Sequence, residues 1–204
     1  NIILTNTIVM KNFFYLPILL FFILSNITYA QDSNFYIGVS AGYATPGGIS
    51  MEGVEPGIDL GFAHLGYRFT ENWGVVANLN SSGHLIEDLD DVAVGVAYIG
   101  VGPMYSLLIG DNMSLDIKPQ VALNMTAAYT YDTELVDDIT WTGTGYVLGN
   151  SLVFGTDQGF AFSINIDYLM GTWTELEVLG LTVKIDEDNE TSQFKVGEGL
   201  RYNF

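Results

Sequence analysis

Two histidines, six basic residues and no cysteine limit the chemistry open to this 204-residue chain. His64 is followed by Leu65 and Gly66, and His84 by Leu85 and Ile86. No Ser-His-Asp order, Gly-rich phosphate loop or metal-ligand spacing accompanies them. Without Cys there is no thiolate nucleophile and no disulfide framework. The basic residues are Lys11, Arg68, Lys118, Lys184, Lys195 and Arg201, set against 24 acids for a net charge of −18. Such a balance excludes a nucleic-acid partner, because phosphate binding needs clustered cations. An aromatic content of 13% argues equally against a disordered acidic chain. Chemistry, if present, has to come from charges held in a particular geometry, and the elements that hold them are strands.

Hydrophobic residues make up 49% of the chain, yet after Tyr29 they form no run long enough for a membrane helix. They alternate instead with Gly, Ser, Thr and Asn. The alternation predicts eight strands, at Phe35–Ala44, Ile58–Phe69, Trp73–Ser81, Val92–Leu107, Met113–Tyr129, Thr140–Phe154, Phe160–Met170 and Ser192–Phe204. The fifth is the clearest: every odd position from Met113 to Tyr129 is apolar, Pro119 included. The fourth is apolar on both faces, so its phase stays open. Eight strands of this length exceed what a soluble sheet needs and match tilted membrane strands.

Charge decides which face meets lipid. The apolar face carries none along most strands. The other carries Arg68, Asp116, Lys118, Asp167, Lys195 and Arg201, diluted by small residues. A solvated exterior would be more densely charged, so this face is expected to line a narrow lumen as a polar network. In it, Arg68, Lys118, Lys195 and Arg201 are expected to pair with Asp116, Asp167 and Glu71, since buried charges need partners. His64 points inward among small residues and is expected to pack there. Aromatics at strand ends (Tyr43, Tyr67, Trp73, Tyr129, Trp141, Tyr168, Trp173, Tyr202) are expected to form two interfacial girdles. Two residues resist the pattern. Pro119 is expected to mark a bulge. Glu198 falls on the lipid face, which a slip of phase in the last strand would relieve.

Connections alternate in length. Thr70–Asn72, Ile109–Asn112 and Gly155–Gln158 are short, whereas Thr45–Gly57, Ser82–Asp91, Thr130–Ile139 and Gly171–Thr191 are long. Short turns on one side and long loops on the other form the outer-membrane pattern. The long set holds Glu52, Glu55, Glu87, Asp88, Asp90, Asp91, Asp132, Glu134, Asp137, Asp138, Glu175, Glu177, Asp186, Glu187, Asp188 and Glu190, with Lys184 as its only base. These acids read either as a solvated surface or as weak calcium ligands bridging to lipopolysaccharide. Asp186-x-Asp188-x-Glu190 lacks the glycine and closing glutamate of a calcium loop. His84 sits in this acidic set and is expected to face solvent. No other cofactor is implied.

Lys11, the apolar run Phe13–Leu24 and Thr28-Tyr29-Ala30 are spaced like a secretory signal, with cleavage expected after Ala30. Residues 1–30 are therefore read as signal peptide and 31–204 as the barrel domain, with 1–9 expected upstream of a start at Met10.

The segment Gly66-Tyr67-Arg68-Phe69-Thr70-Glu71-Asn72-Trp73-Gly74 resembles the small outer-membrane β-barrel superfamily, of the OmpA transmembrane-domain and opacity-protein type. Gly199, Tyr202 and Phe204 resemble the C-terminal signal read by the barrel-assembly machinery. The resemblance covers about residues 33–204. It implies an all-β, eight-stranded antiparallel up-and-down transmembrane β-barrel, monomeric, partnered by outer-membrane lipid and lipopolysaccharide. It leaves function open between three readings. One is a non-catalytic surface or envelope barrel, expected to be plugged. Another is a narrow channel for small solutes. The third is a lipid-modifying enzyme, disfavoured because the His-x-Ser pair of the deacylase type is absent.

Overall fold

A computed structural model describes residues 34–87, 89–131, 139–178, 180–185 and 189–204. The signal segment lies outside them.

Nine antiparallel strands form one sheet: β1 Phe35–Gly47, β2 Gly57–Arg68, β3 Trp73–Ile86, β4 Leu89–Gly110, β5 Met113–Tyr131, β6 Ile139–Gly155, β7 Gly159–Val178, β8 Leu181–Lys184 and β9 Glu190–Asn203. Sequence neighbours pair from β1 to β7, then β7 pairs β9 and β9 pairs β1, so eight strands close a ring. The ninth, β8, hangs on the end of β7 through Glu175↔Lys184 to Val178↔Leu181. Closure satisfies every edge of the ring, which is why an apolar wall is tolerated.

The strands run beyond their expected ends at the long-loop side. Ser82–Asp91, expected as a loop, is mostly strand, with β3 reaching Ile86 and β4 starting at Leu89. The Gly171–Thr191 loop is largely the β7–β8 hairpin. Thr45–Gly57 contains a short 3-10 turn at Ile49–Met51 that puts Met51 into the interior. The turn ends of these hairpins are polar enough to look like loops, yet paired backbone holds them.

Alternation sets the two faces as expected over the lower barrel. Val75, Leu79 and Ile164 are exposed on the outside, and Asn78, Asp116 and Lys118 are buried inside. The open phase of β4 resolves with Val94, Val96, Tyr98 and Met104 inside and Ile99, Val101 and Leu107 outside. In β5 the expected phase fails at one point. Asn124 has φ 47, and the β5–β6 register shifts between Ala122 and Met125. This bulge turns Met125 and Ala127 inward, against the expectation that they face lipid. Asn is among the few non-Gly residues that adopt such a backbone readily. Trp173 is likewise inside, buried to 2% exposure, and Tyr129 and Trp141 pack against the interior rather than joining a girdle.

Pro119 marks no bulge. The β4–β5 ladder breaks between Val101↔Val121 and Tyr105↔Ile117 and resumes in the same register, which sets Pro119 opposite Pro103. Two residues without N–H face each other, so the ladder loses its bonds at this one pair and the register carries on unchanged on either side. Glu198 needs no slip either. Both ladders of β9 run through it unshifted, pairing it with Ala41 and Ile164, and its side chain lies exposed on the outer wall.

Candidate functional site

The interior is stacked in polar layers from the short-turn end upward. At the bottom, Arg201 Nη1 lies 2.7 Å from Asp116 Oδ2, and Ser106 Oγ donates to Asp116 Oδ1 at 2.7 Å. The Arg201 guanidinium also covers the Tyr36 ring at 4.6 Å. One carboxylate is thus held by a cation and a hydroxyl, the arrangement that makes a buried ion pair tolerable.

Above it, Lys118 Nζ donates to Ser151 Oγ at 2.6 Å, and that hydroxyl donates to Asn165 Oδ1 at 2.6 Å. Asn78 Nδ2 donates to Gln120 Oε1 at 2.8 Å. This leaves Asn78 Oδ1 as acceptor for His64 Nδ1–H at 3.1 Å, while Ser40 Oγ meets His64 Nε2 at 2.8 Å. His64 is therefore a linker between β1, β2 and β3 rather than a free base.

The third layer pairs Lys195 Nζ with Asp59 Oδ1 at 2.6 Å, the ammonium standing 4.8 Å from the Tyr98 ring centre. Asp167 sits beside Lys195 in the ladder but forms no ion pair among those described, and its Oδ1 is buried without a hydrogen-bond partner. The fourth layer is Ser82, His84 and Gln193. His84 Nδ1–H donates to Glu55 O at 2.9 Å, and Ser82 Oγ lies 2.9 Å from Nε2. His84 is 3% exposed, contrary to its expected place in a solvated loop. The strand extension to Ile86 carries it inside.

On the β4–β7 side the polar layers give way to an apolar core of Met51, Val94, Val96, Met125, Leu169 and Trp173. At this level Thr172 and Thr174 are outside, so the barrel there resembles a water-soluble one. The change explains why the Asn124 bulge is needed: it converts a lipid-facing phase into a core-facing one within β5.

Of the six expected lumen residues, Arg201 and Asp116 meet each other, and Lys118 meets Ser151 instead of a carboxylate. Lys195 takes Asp59, a residue outside the expected set because its odd position shares the phase of Ala63, Leu65 and Tyr67; the register shift between Gly61 and Ala63 turns it inward. Arg68 lies 3.7 Å from the exposed Asp157 at the short-turn mouth and forms no ion pair with Glu71 among those described. Among the described residues, Arg201, Lys195 and Lys118 share the interior with Asp116, Asp59 and Asp167. The lining pocket between Tyr36, His64, Lys118 and Arg201 is about 20 Å³, scarcely more than one water.

The outer wall shows two aromatic bands. Tyr67, Phe69, Trp73, Phe160 and Tyr202 are exposed at the short-turn end, and Tyr43, Tyr146, Tyr168 and Phe194 toward the loop end. Trp73 contacts Tyr105 at 4.8 Å, and Phe160 meets Tyr202 edge-on at 5.1 Å. Gly199 sits inside opposite Ser40 and Ser163, while Tyr202 faces out and Phe204 follows the last strand. Among the acids of the rim, Asp88, Asp132, Glu134, Asp137, Asp138, Asp186, Glu187 and Asp188 lie outside the described residues. Among the described residues no group of three or more His, Asp or Glu forms a metal cage.

Comparison with known proteins agrees with this architecture. No curated protein matches the chain in sequence. In fold, it is similar to Neisserial surface protein A at TM-score 0.58 and 13% identity, over 84% of this chain and 98% of that one. It is similar to the outer membrane protein OprG of Pseudomonas aeruginosa at TM-score 0.51 and 12% identity, over 84% and 98%. The N-terminal β-barrel domain of OprF from the same organism matches at TM-score 0.50 and 11% identity, over 85% and 100%. The model of the outer membrane protein beta-barrel domain matches residues 14–204. The chain therefore belongs to that family of bacterial outer-membrane β-barrels.

Proposed function

We propose that the protein is a non-catalytic, plugged outer-membrane barrel whose acidic extracellular rim is its working surface, in an envelope-structural or surface-binding role. The packing of polar side chains across the lumen among the described residues is the observation that carries this reading. Four polar layers and an apolar core span it, and the cavity among the lumen charges holds about 20 Å³. Both histidines are spent on structural hydrogen bonds, which supports a role without catalysis. Export by the residue 1–30 signal, insertion through a C-terminal signal of Gly199, Tyr202 and Phe204, and a monomeric state complete the proposal. Weak calcium at the rim belongs to it as well; titration calorimetry with calcium that gives no heat would remove that part.

A narrow solute channel is the second reading, favoured by a cavity of about 350 Å³ at the short-turn mouth that reaches Arg201. Single-channel recording in planar bilayers separates the two. The plugged barrel gives no resolved conductance steps. Regular steps in the wild-type protein would establish the channel instead.

A further inference from the structure

Near the loop end the outer wall is dented. β5 carries the Asn124 bulge, and the β6–β7 ladder shifts between Thr142 and Gly143. Just below these irregularities Gly145 of β6 faces Gly171 of β7. Gly145 admits no side chain, and one on Gly171 requires the end of Met125 to shift. A Cβ on Gly145 would lie 2.3 Å from the Met170 carbonyl oxygen, and one on Gly171 would lie 2.5 Å from Met125 Cε. The wall is thus drawn onto the apolar core, and a groove of about 480 Å³ opens on its outer side. That volume is within the roughly 300–1,000 Å³ range of small-molecule sites.

The groove is amphipathic along the barrel axis. Tyr146, Tyr168 and Met170 line its lower part, level with the upper aromatic band. Thr144, Thr172 and Glu190 line the part nearer the rim. Among the described residues Glu190 is its only charged lining residue, and no Lys or Arg lines it. Thr191, opposite Gly171, also lines it and keeps a buried hydroxyl without a partner.

We propose that this groove holds one amphiphile of the surrounding leaflet whose head is an uncharged sugar. An acyl chain lies against Tyr146, Tyr168 and Met170, and the sugar hydroxyls donate to Glu190 and exchange hydrogen bonds with Thr144 and Thr172. The aromatic band fixes the groove at the lipid–water boundary, so a lipid is the adjacent ligand. A carboxylate without a nearby cation accepts hydroxyl donors and repels a phosphate head, which selects against anionic lipids. The inference rests on the outer-membrane placement of the barrel, and is independent of whether the lumen conducts.

The test uses the full protein in a zwitterionic detergent, with native mass spectrometry after adding a diglucosyl diacylglycerol or a phosphatidylglycerol of the same chains. One glycolipid is retained per barrel, and the phosphatidylglycerol is not. Ser192→Trp, which fills the groove from the outer wall, weakens retention about tenfold, and Thr172→Tyr does the same should the first variant fail to fold. Glu190→Lys reverses the preference toward the anionic lipid. Equal retention of both lipids by the wild type, a general lipid annulus only, overturns the proposal, as does unchanged retention in a filled variant that still shows heat-modifiable migration. Loss of that migration in the wild type would instead remove the membrane placement itself.

Discussion

At the scale of single residues, the lumen depends on pairing rather than on charge alone. Lys195 and Asp59 are both buried, and each is the other's counter-ion. Removing one leaves the other largely buried without its counter-ion. Lys195→Met is therefore expected to cost about 3–5 kcal/mol of stability, measured by urea unfolding from lipid vesicles; a loss no greater than that of a surface substitution would refute the pairing. Lys118 tests occupancy instead. It fills the lumen centre through Ser151, so Lys118→Ala is expected to raise single-channel conductance, and an unchanged trace would show that its side chain blocks nothing. Glu198 is the reverse case, a carboxylate on the apolar wall between Ala41 and Ile164. Glu198→Leu is expected to stabilise the barrel by about 1 kcal/mol in a bilayer and much less in a detergent micelle. His64 was legible as an inward residue because Gly66 and Arg68 share its phase and Leu65, Tyr67 and Phe69 take the other. His84 was not, because its fate depends on how far β3 continues into an acidic, polar segment.

At the scale of elements, bulges decide what periodicity cannot. From Met113 to Tyr129 the odd positions form an unbroken apolar series. One residue, Asn124, divides it into a lipid-facing half and a core-facing half. A period-two pattern carries no mark of such a flip, since the positions before and after it are apolar alike. Only the residue type hints at it, because Asn tolerates positive φ. Asn124→Gly should be accepted, whereas Asn124→Val should cost about 1–2 kcal/mol and loosen the interior around Met125. Near-ultraviolet circular dichroism of Trp173, buried in the same core, reads the second effect. Equal behaviour of the two variants would mean the backbone at 124 is unstrained. Pro119 misleads in the opposite way. Taken alone it signals a bulge, but the ladder only gaps at the Pro103–Pro119 pair and keeps its register.

At the scale of the whole molecule, the barrel combines two solvents. Its lower part is polar inside and apolar outside, while its upper β4–β7 side holds an apolar core beneath a polar exterior. The upper part can fold as a soluble barrel does, and the lower part needs lipid or detergent to satisfy its wall. Refolded protein is accordingly expected to migrate differently on gels before and after boiling and to show a β spectrum only in detergent or lipid. A detergent-independent fold would place the apolar wall in a second protein surface instead of a membrane.

The sequence by itself determined the class. Alternation, aromatic strand ends, a lack of charge on one face and unequal connections leave a closed membrane barrel as the arrangement that satisfies every backbone group. Local alternation also pointed to the inner face for Asp116, Lys118, Lys195 and Arg201, whereas Asp59 was hidden by the bulge in β2. Tertiary structure alone decided who meets whom. Lys195 with Asp59, Arg201 with Asp116 and Pro103 with Pro119 join positions far apart in the chain. Their partnership depends on register and on bulges. A single inserted residue moves every later contact, and no local pattern records it. The ninth strand, the inward Trp173 and the groove beside Gly145 and Gly171 follow from the same cause.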